Sequence, residues 1–172
     1  MRRSLKTKRE DIVSYWAARE DECGLGVDWA EAHERCWRCG YETRLERCHI
    51  VPDSLGGPDA PSNLVLLCYR CHREAPNHSN PRYMWVWLRA DNFPFYDCYW
   101  THRGVKEFER MFGRQPFSEL DQDIVDEGEV PNLLREEIEK ASYHFGQAHL
   151  NPVTLACVIA DLEERLAHQQ EA

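Results

Sequence analysis

No window of this chain of 172 residues holds enough consecutive apolar residues to cross a bilayer. No basic stretch followed by an apolar run opens it in the manner of a secretory leader. These two absences lead to the expectation of a cytoplasmic protein with no membrane partner. Internal repeats and low-complexity segments are also missing, and the length suits a single domain, or a small metal-nucleated module with helices around it. An excess of positive charge is lacking as well. The formal net charge of −9 argues against a protein that coats nucleic acid through a broad positive field. The deficit is uneven, because residues 1–75 carry 12 Lys and Arg against 13 Asp and Glu, whereas residues 76–172 carry 9 against 17. A nucleic-acid face is therefore expected on the N-terminal half. There Arg2, Arg3, Lys6, Lys8 and Arg9 form a basic arm, readable as a phosphate contact or as a solvated tail, and Arg35, Arg38, Arg44, Arg47, Arg70 and Arg73 gather around the cysteines.

Cysteine is plentiful, and its spacing is the strongest signal. Cys36/Cys39 and Cys68/Cys71 are two CxxC pairs separated by 28 residues, as a tetrahedral zinc site requires. Four thiolates leave no open coordination position, so the expected Zn²⁺ is structural, with a pair of redox dithiols as the alternative. Such a staple would hold the segment between the pairs as a rigid turn. His49 lies in that turn, either as a general base working near neutral pH or as a packed structural histidine. Cys23, Cys98 and Cys157 lack partners at metal spacing, and Cys157, in an apolar run, is expected in the core. His144, His149 and His168 are too loosely spaced for ligands and read as surface or helix-end residues.

Periodicity and punctuation predict a mostly helical chain. Ile12, Val13, Trp16 and Ala17 recur at helical spacing within residues 10–22, which Gly24 and Gly26 terminate, and a second short helical piece is expected over residues 28–33. Between the cysteine pairs the pattern is knuckle, short strand, proline turn, glycine-rich loop, apolar run Leu64–Leu67 and second knuckle. Pro81 opens a helix through residues 82–90, stopped by residues 91–95. Further helices are predicted over residues 105–112, from Pro131 to Gly146, and from Asn151-Pro152 through Leu166, with an acidic linker over residues 119–129 and a frayed end. Their aromatic and aliphatic residues, among them Tyr15, Trp16, Trp85, Trp87, Phe108, Phe112, Leu133, Leu134 and Ile138, are most simply the core around a small module.

The series Cys36-Trp37-Arg38-Cys39, then Leu45-Glu46-Arg47-Cys48-His49-Ile50-Val51-Pro52, then Gly56-Gly57, then Asn63 through His72 resembles the HNH endonuclease family in its four-cysteine, McrA-like form. The resemblance covers residues 36–78. It implies an α+β fold, two antiparallel strands and a helix around a metal (ββα-metal), stapled by zinc and here wrapped by N- and C-terminal helices. The implied divisions are a basic arm and helix over 1–35, the module over 36–80 and a helical extension over 81–172. The extension would pack on the module or form a homodimer face.

By the same resemblance His49 is the general base, Asn63 braces the loop that holds it, and His72 is a ligand of a catalytic metal. Arg47, Arg70 or Arg73 would then hold flanking phosphates. Two positions depart from the family pattern. Cys48 stands where an Asp or His ligand is usual, and Pro76 stands where a third ligand is often found, so Cys48, His72 and His78 become the candidate set for a second divalent metal, Zn²⁺ or Mg²⁺/Mn²⁺. Three functions follow as alternatives: a metal-dependent endonuclease acting on phosphodiesters, with DNA the expected partner; an enzyme on the same scaffold acting on a small molecule or nucleotide; or a zinc-stapled nucleic-acid-binding or interaction protein without catalysis.

Overall fold

The computed structural model describes residues 5–90, 98–120, 129–145 and 150–170. The sequence features placed on Arg2, Arg3, residues 91–95, Gly146, His149 and most of the acidic linker lie outside them. The described chain is mostly helical, with one two-stranded antiparallel sheet, and it divides into two compact units, residues 1–99 and 100–172.

In the first unit, helix α1 (Arg9–Ala17) buries Ile12 and Trp16, one helical turn apart. The single helix predicted over residues 10–22 is in fact two, because Arg19 leaves helical geometry and turns its guanidinium back onto the Tyr15 carbonyl (3.0 Å) and ring; α2 (Glu20–Cys23) follows and ends at left-handed Gly24. Residues 28–33 form turns in place of the short helix predicted there. The Asp28 carboxylate accepts from the Ala30 amide (2.9 Å), a local side-chain bond that competes with helix propagation.

Strand β1 (Leu45–His49) pairs with β2 (Leu64–Cys68) in a register that sets Leu45 opposite Cys68 and His49 opposite Leu64. Every residue of β2 is buried, which explains its unbroken apolar sequence. Trp16 of α1 covers the sheet and donates its indole N–H to the Leu64 carbonyl (2.9 Å), while its ring meets Trp85 edge-on at 4.7 Å. Trp85 belongs to α4 (Arg82–Arg89), which buries Met84 and Leu88. Between β2 and α4, Cys68 caps the short helix α3 (Tyr69–Glu74), which stops at Ala75 because Pro76 follows. The result is the expected strand–strand–helix module around four cysteines.

The second unit holds α5 (Tyr99–Phe112) from residue 100 on, α6 (Glu129–Phe145) and α7 (Pro152–Gln170). Helix α5 starts six residues before its predicted start. Gly104 argues against a helix there, yet a side chain at that position would press into Leu155 of α7, so glycine permits close helix contact. Phe108, Ala156 and Ile159 form the core of this unit. Cys157 corrects its predicted burial: it lies exposed on α7 while Leu155 and Ala156 beside it are buried. Phe112 is likewise exposed, although it stacks on Phe108. Glu163 is buried but paired, accepting two bonds from Arg114 (2.8 and 2.9 Å) and one from the Phe117 amide.

Candidate metal centre and active-site cleft

The four CxxC sulfurs converge. Cys36, Cys39, Cys68 and Cys71 are buried, and their Sγ atoms all lie within 4.8 Å of one another. The Cys39–Cys68 separation is 3.9 Å, close to the ~3.8 Å between thiolates on a tetrahedral zinc with Zn–S bonds of ~2.3 Å. Each knuckle is built by its backbone: the Gly40 amide bonds the Cys36 carbonyl (2.8 Å), and the Cys71 amide points at the Cys68 sulfur (3.4 Å). The proton affinities agree with a cation site. Hydrogen bonds from Cys36, Cys39 and Cys71 hold the Cys68 thiol far down, whereas hydrogen bonding to Cys36, Cys39 and Cys68 holds Cys71 far up. Four contacting sulfurs cannot all shed protons unless a cation offsets their charge. The donor set fits Zn²⁺.

On the neighbouring face, β1 ends at half-buried His49, and the loop beyond it is braced by Asn63. Its Oδ1 accepts from the Val51 amide (2.9 Å), and its Nδ2 donates to the carbonyls of Val51 (2.9 Å) and Pro58 (3.0 Å). The Ile50 amide adds a bond to the Asn63 carbonyl (2.8 Å). Asn63 therefore fastens the two residues after His49 and is itself only 7% exposed. The loop needs both glycines. Gly56 has φ +87°, and a side chain on Gly57 would overlap the Val51 carbonyl oxygen and stand 2.7 Å from Asn63 Nδ2.

His72, on α3, meets Glu46 of β1 with Nδ1 2.6 Å from Oε2. An ionised carboxylate only accepts, so Nδ1–H donates and Nε2 keeps its lone pair. His49, His72 and Cys48 line one cleft of about 580 Å³ with Asp53, Arg73 and Asn77. His49 and Asp53 also line a larger one of about 920 Å³, walled by Leu5, Lys6, the Gly56–Gly57 turn and Asp59.

The structure brings His49, Asn63 and His72 to one face, but it does not gather Cys48, His72 and His78. His78 is absent from the cleft lining; its ring packs on Tyr83 and its Nδ1 accepts from the Asn80 amide (2.9 Å). Burial pushes the Cys48 thiol up to about 12. Among the described residues, the four cysteines are the one group of three or more converging metal donors.

The arginines gathered by sequence also separate. Arg38 is buried between the Trp87 and Tyr99 rings and donates to the Trp87 and Leu88 carbonyls, so it clasps the first knuckle to α4. Arg35 bonds Glu31 (2.7 Å) and the Gly40 carbonyl (3.0 Å). Arg47 donates to the carbonyls of Leu5 (3.1 Å) and Thr7 (2.7 Å). Sequence reasoning missed Glu46, Asp53 and Asp59. Glu46 carried one available signal, since it lies within the quoted family series and three residues before His49 in a strand.

Residues 34–77, about a quarter of the chain, match the HNH endonuclease family model, and the match ends just past α3 and its proline stop. No curated protein and no solved structure matches the chain. Residues 34–77 thus match the HNH model around a four-cysteine cluster that could hold a metal ion, and the match suggests a nuclease-type activity.

Proposed function

We propose that the protein is an endonuclease that hydrolyses phosphodiester bonds in DNA, with His49 as general base. One observation carries the reading: His49 stands at a cleft, next to a loop that Asn63 and the Gly56–Gly57 turn over-determine, opposite a histidine oriented by a carboxylate. A neutral imidazole held this way can take a proton from water as the oxygen attacks phosphorus, a role worth about 10²–10⁴ in rate. Charge supports a phosphate substrate locally despite the net −9. Lys6, Arg9, Arg44, Arg47 and Arg73 line the clefts on this face against Glu46, Asp53 and Asp59. Of those acids, Glu46 is paired with His72 and Asp59 with backbone amides. Arg73, exposed at the cleft, suits a flanking phosphate.

A divalent cation, when bound, supplies charge compensation at the phosphate and the leaving oxygen. His72 would offer it Nε2, and Asp53, which lines the same cleft, would offer the carboxylate oxygen that Mg²⁺ or Mn²⁺ prefers.

The test is cleavage of supercoiled plasmid DNA with added Mg²⁺ or Mn²⁺. His49→Ala is expected to lose at least 100-fold in rate while keeping its zinc and its circular dichroism spectrum. Equal cleavage by the variant would remove His49 from the chemistry. The dispersed second donor set favours one other reading, a zinc-stapled binding protein; it requires that neither the parent nor the variant cleave.

A further inference from the structure

The segment just before α1 is fastened as a strap, contrary to the solvated-tail reading of the basic arm. Asp59 receives the Lys6 amide at Oδ2 (2.6 Å) and the Thr7 amide at Oδ1 (3.3 Å), and Arg47 donates to the Leu5 and Thr7 carbonyls on the other side. The first of these bonds, from Lys6, also holds the Asp59 carboxyl below its ordinary range, so the clamp is intact at neutral pH. Four bonds on a stretch of three residues, Leu5 to Thr7, are more than a solubilising tail needs.

The strap's position gives it a use. Leu5 lines both clefts that hold His49, and Lys6 walls the larger of them. The Asp59 carboxylate is occupied by the strap's backbone amides, and no acidic side chain among the described residues forms an ion pair with the Lys6 ammonium. A cation at the rim of a cleft that ends on a general base is where a phosphate of the bound strand would be met.

We propose that the strap is a working wall of the substrate cleft: Lys6 contacts a phosphate of the nucleic-acid strand beside His49, and Asp59 with Arg47 positions it. This inference rests on the nuclease reading above. Lys6 is a substrate-contacting residue here; Asp59 and Arg47 are positioning residues.

The experiment measures binding of a short fluorescein-labelled DNA duplex to full-length His49→Ala protein, without added divalent metal, across a salt series. Adding Lys6→Gln is expected to weaken binding and to reduce the slope of log K against log salt by about one, the signature of one lost phosphate contact, and Lys6→Arg should restore both. Asp59→Ala should reproduce the Lys6→Gln loss, and the two changes together should cost no more than either alone. Zinc content and circular dichroism confirm that each variant is folded. An unchanged slope in Lys6→Gln overturns the proposal while leaving the nuclease reading intact, as does tighter binding in Asp59→Ala, which would make the strap a cover. If His49→Ala does not bind and the parent does not cleave, the nuclease reading fails and the proposal falls with it.

Discussion

Asn63 braces the loop after His49 with a single side chain. One amide side chain satisfies the Val51 N–H and C=O and the Pro58 C=O, and a hydroxyl or carboxylate cannot supply the same mixture of one acceptor and two donors. Asn63→Ala is expected to destabilise the first unit by about 2 kcal/mol, since partly buried backbone groups left unpaired cost about 1–3 kcal/mol each and water recovers some of it. Thermal denaturation reads this directly. Asn63→Asp should be nearly as damaging, because it keeps the acceptor, loses both donors and aims a charge at two carbonyl oxygens. If both variants melt with the parent, the brace is not what holds the loop. The Glu46–His72 pair is a different kind of residue-scale device: it fixes which imidazole nitrogen carries the proton and contributes little to stability at its half-exposed position.

At the scale of elements, the two knuckles and the β1–β2 hairpin make one object. The first knuckle joins the sheet through the Trp37 amide on the Leu66 carbonyl (3.0 Å), and the second begins at the last residue of β2. Structural zinc in modules of this size contributes about 10 kcal/mol or more, comparable to the whole stability of a small domain. Removing it with a strong chelator at neutral pH is therefore expected to unfold the sheet and α3 and to release one zinc per chain; Cys68→Ala should purify without zinc. A chain that kept its fold and its thermal midpoint after complete metal removal would return the cysteines to the redox alternative. These elements were legible in the sequence because the determinants are local: CxxC spacing fixes a knuckle, the apolar run Leu64–Leu67 reads as a short buried strand or turn, and Pro76 stops α3. The strap was not, because Asp59 reaches 53 residues back to main-chain amides that any residue type would offer. Arg38 was misread for a related reason, since nothing in Cys-Trp-Arg-Cys reveals that carbonyls and rings from α4 will enclose the guanidinium. The break between α1 and α2 turns on one residue's backbone angles, which periodicity does not resolve.

For the molecule as a whole, the family match and the physical unit are not the same size. Residues 34–77 leave out α1, whose Trp16 seals the sheet at Leu64, and α4, whose carbonyls hold Arg38. The excised stretch 34–77 is expected to bind zinc weakly and to show no cooperative melt, whereas residues 1–99 should do both; a fragment of 34–77 that melts cooperatively with zinc would show that the flanking helices are accessories. The acidic excess belongs to the second unit, with 7 Lys and Arg against 15 Asp and Glu over residues 100–172, so any attraction to a polyanion would rest on the first. The strap has a practical consequence for anyone who produces the protein. Leu5 lines the same clefts as His49, so a purification tag fused ahead of the strap is expected to lower a cleavage rate that removing the tag restores. Comparing tagged and tag-free protein in one cleavage assay would separate a silent protein from an obstructed one.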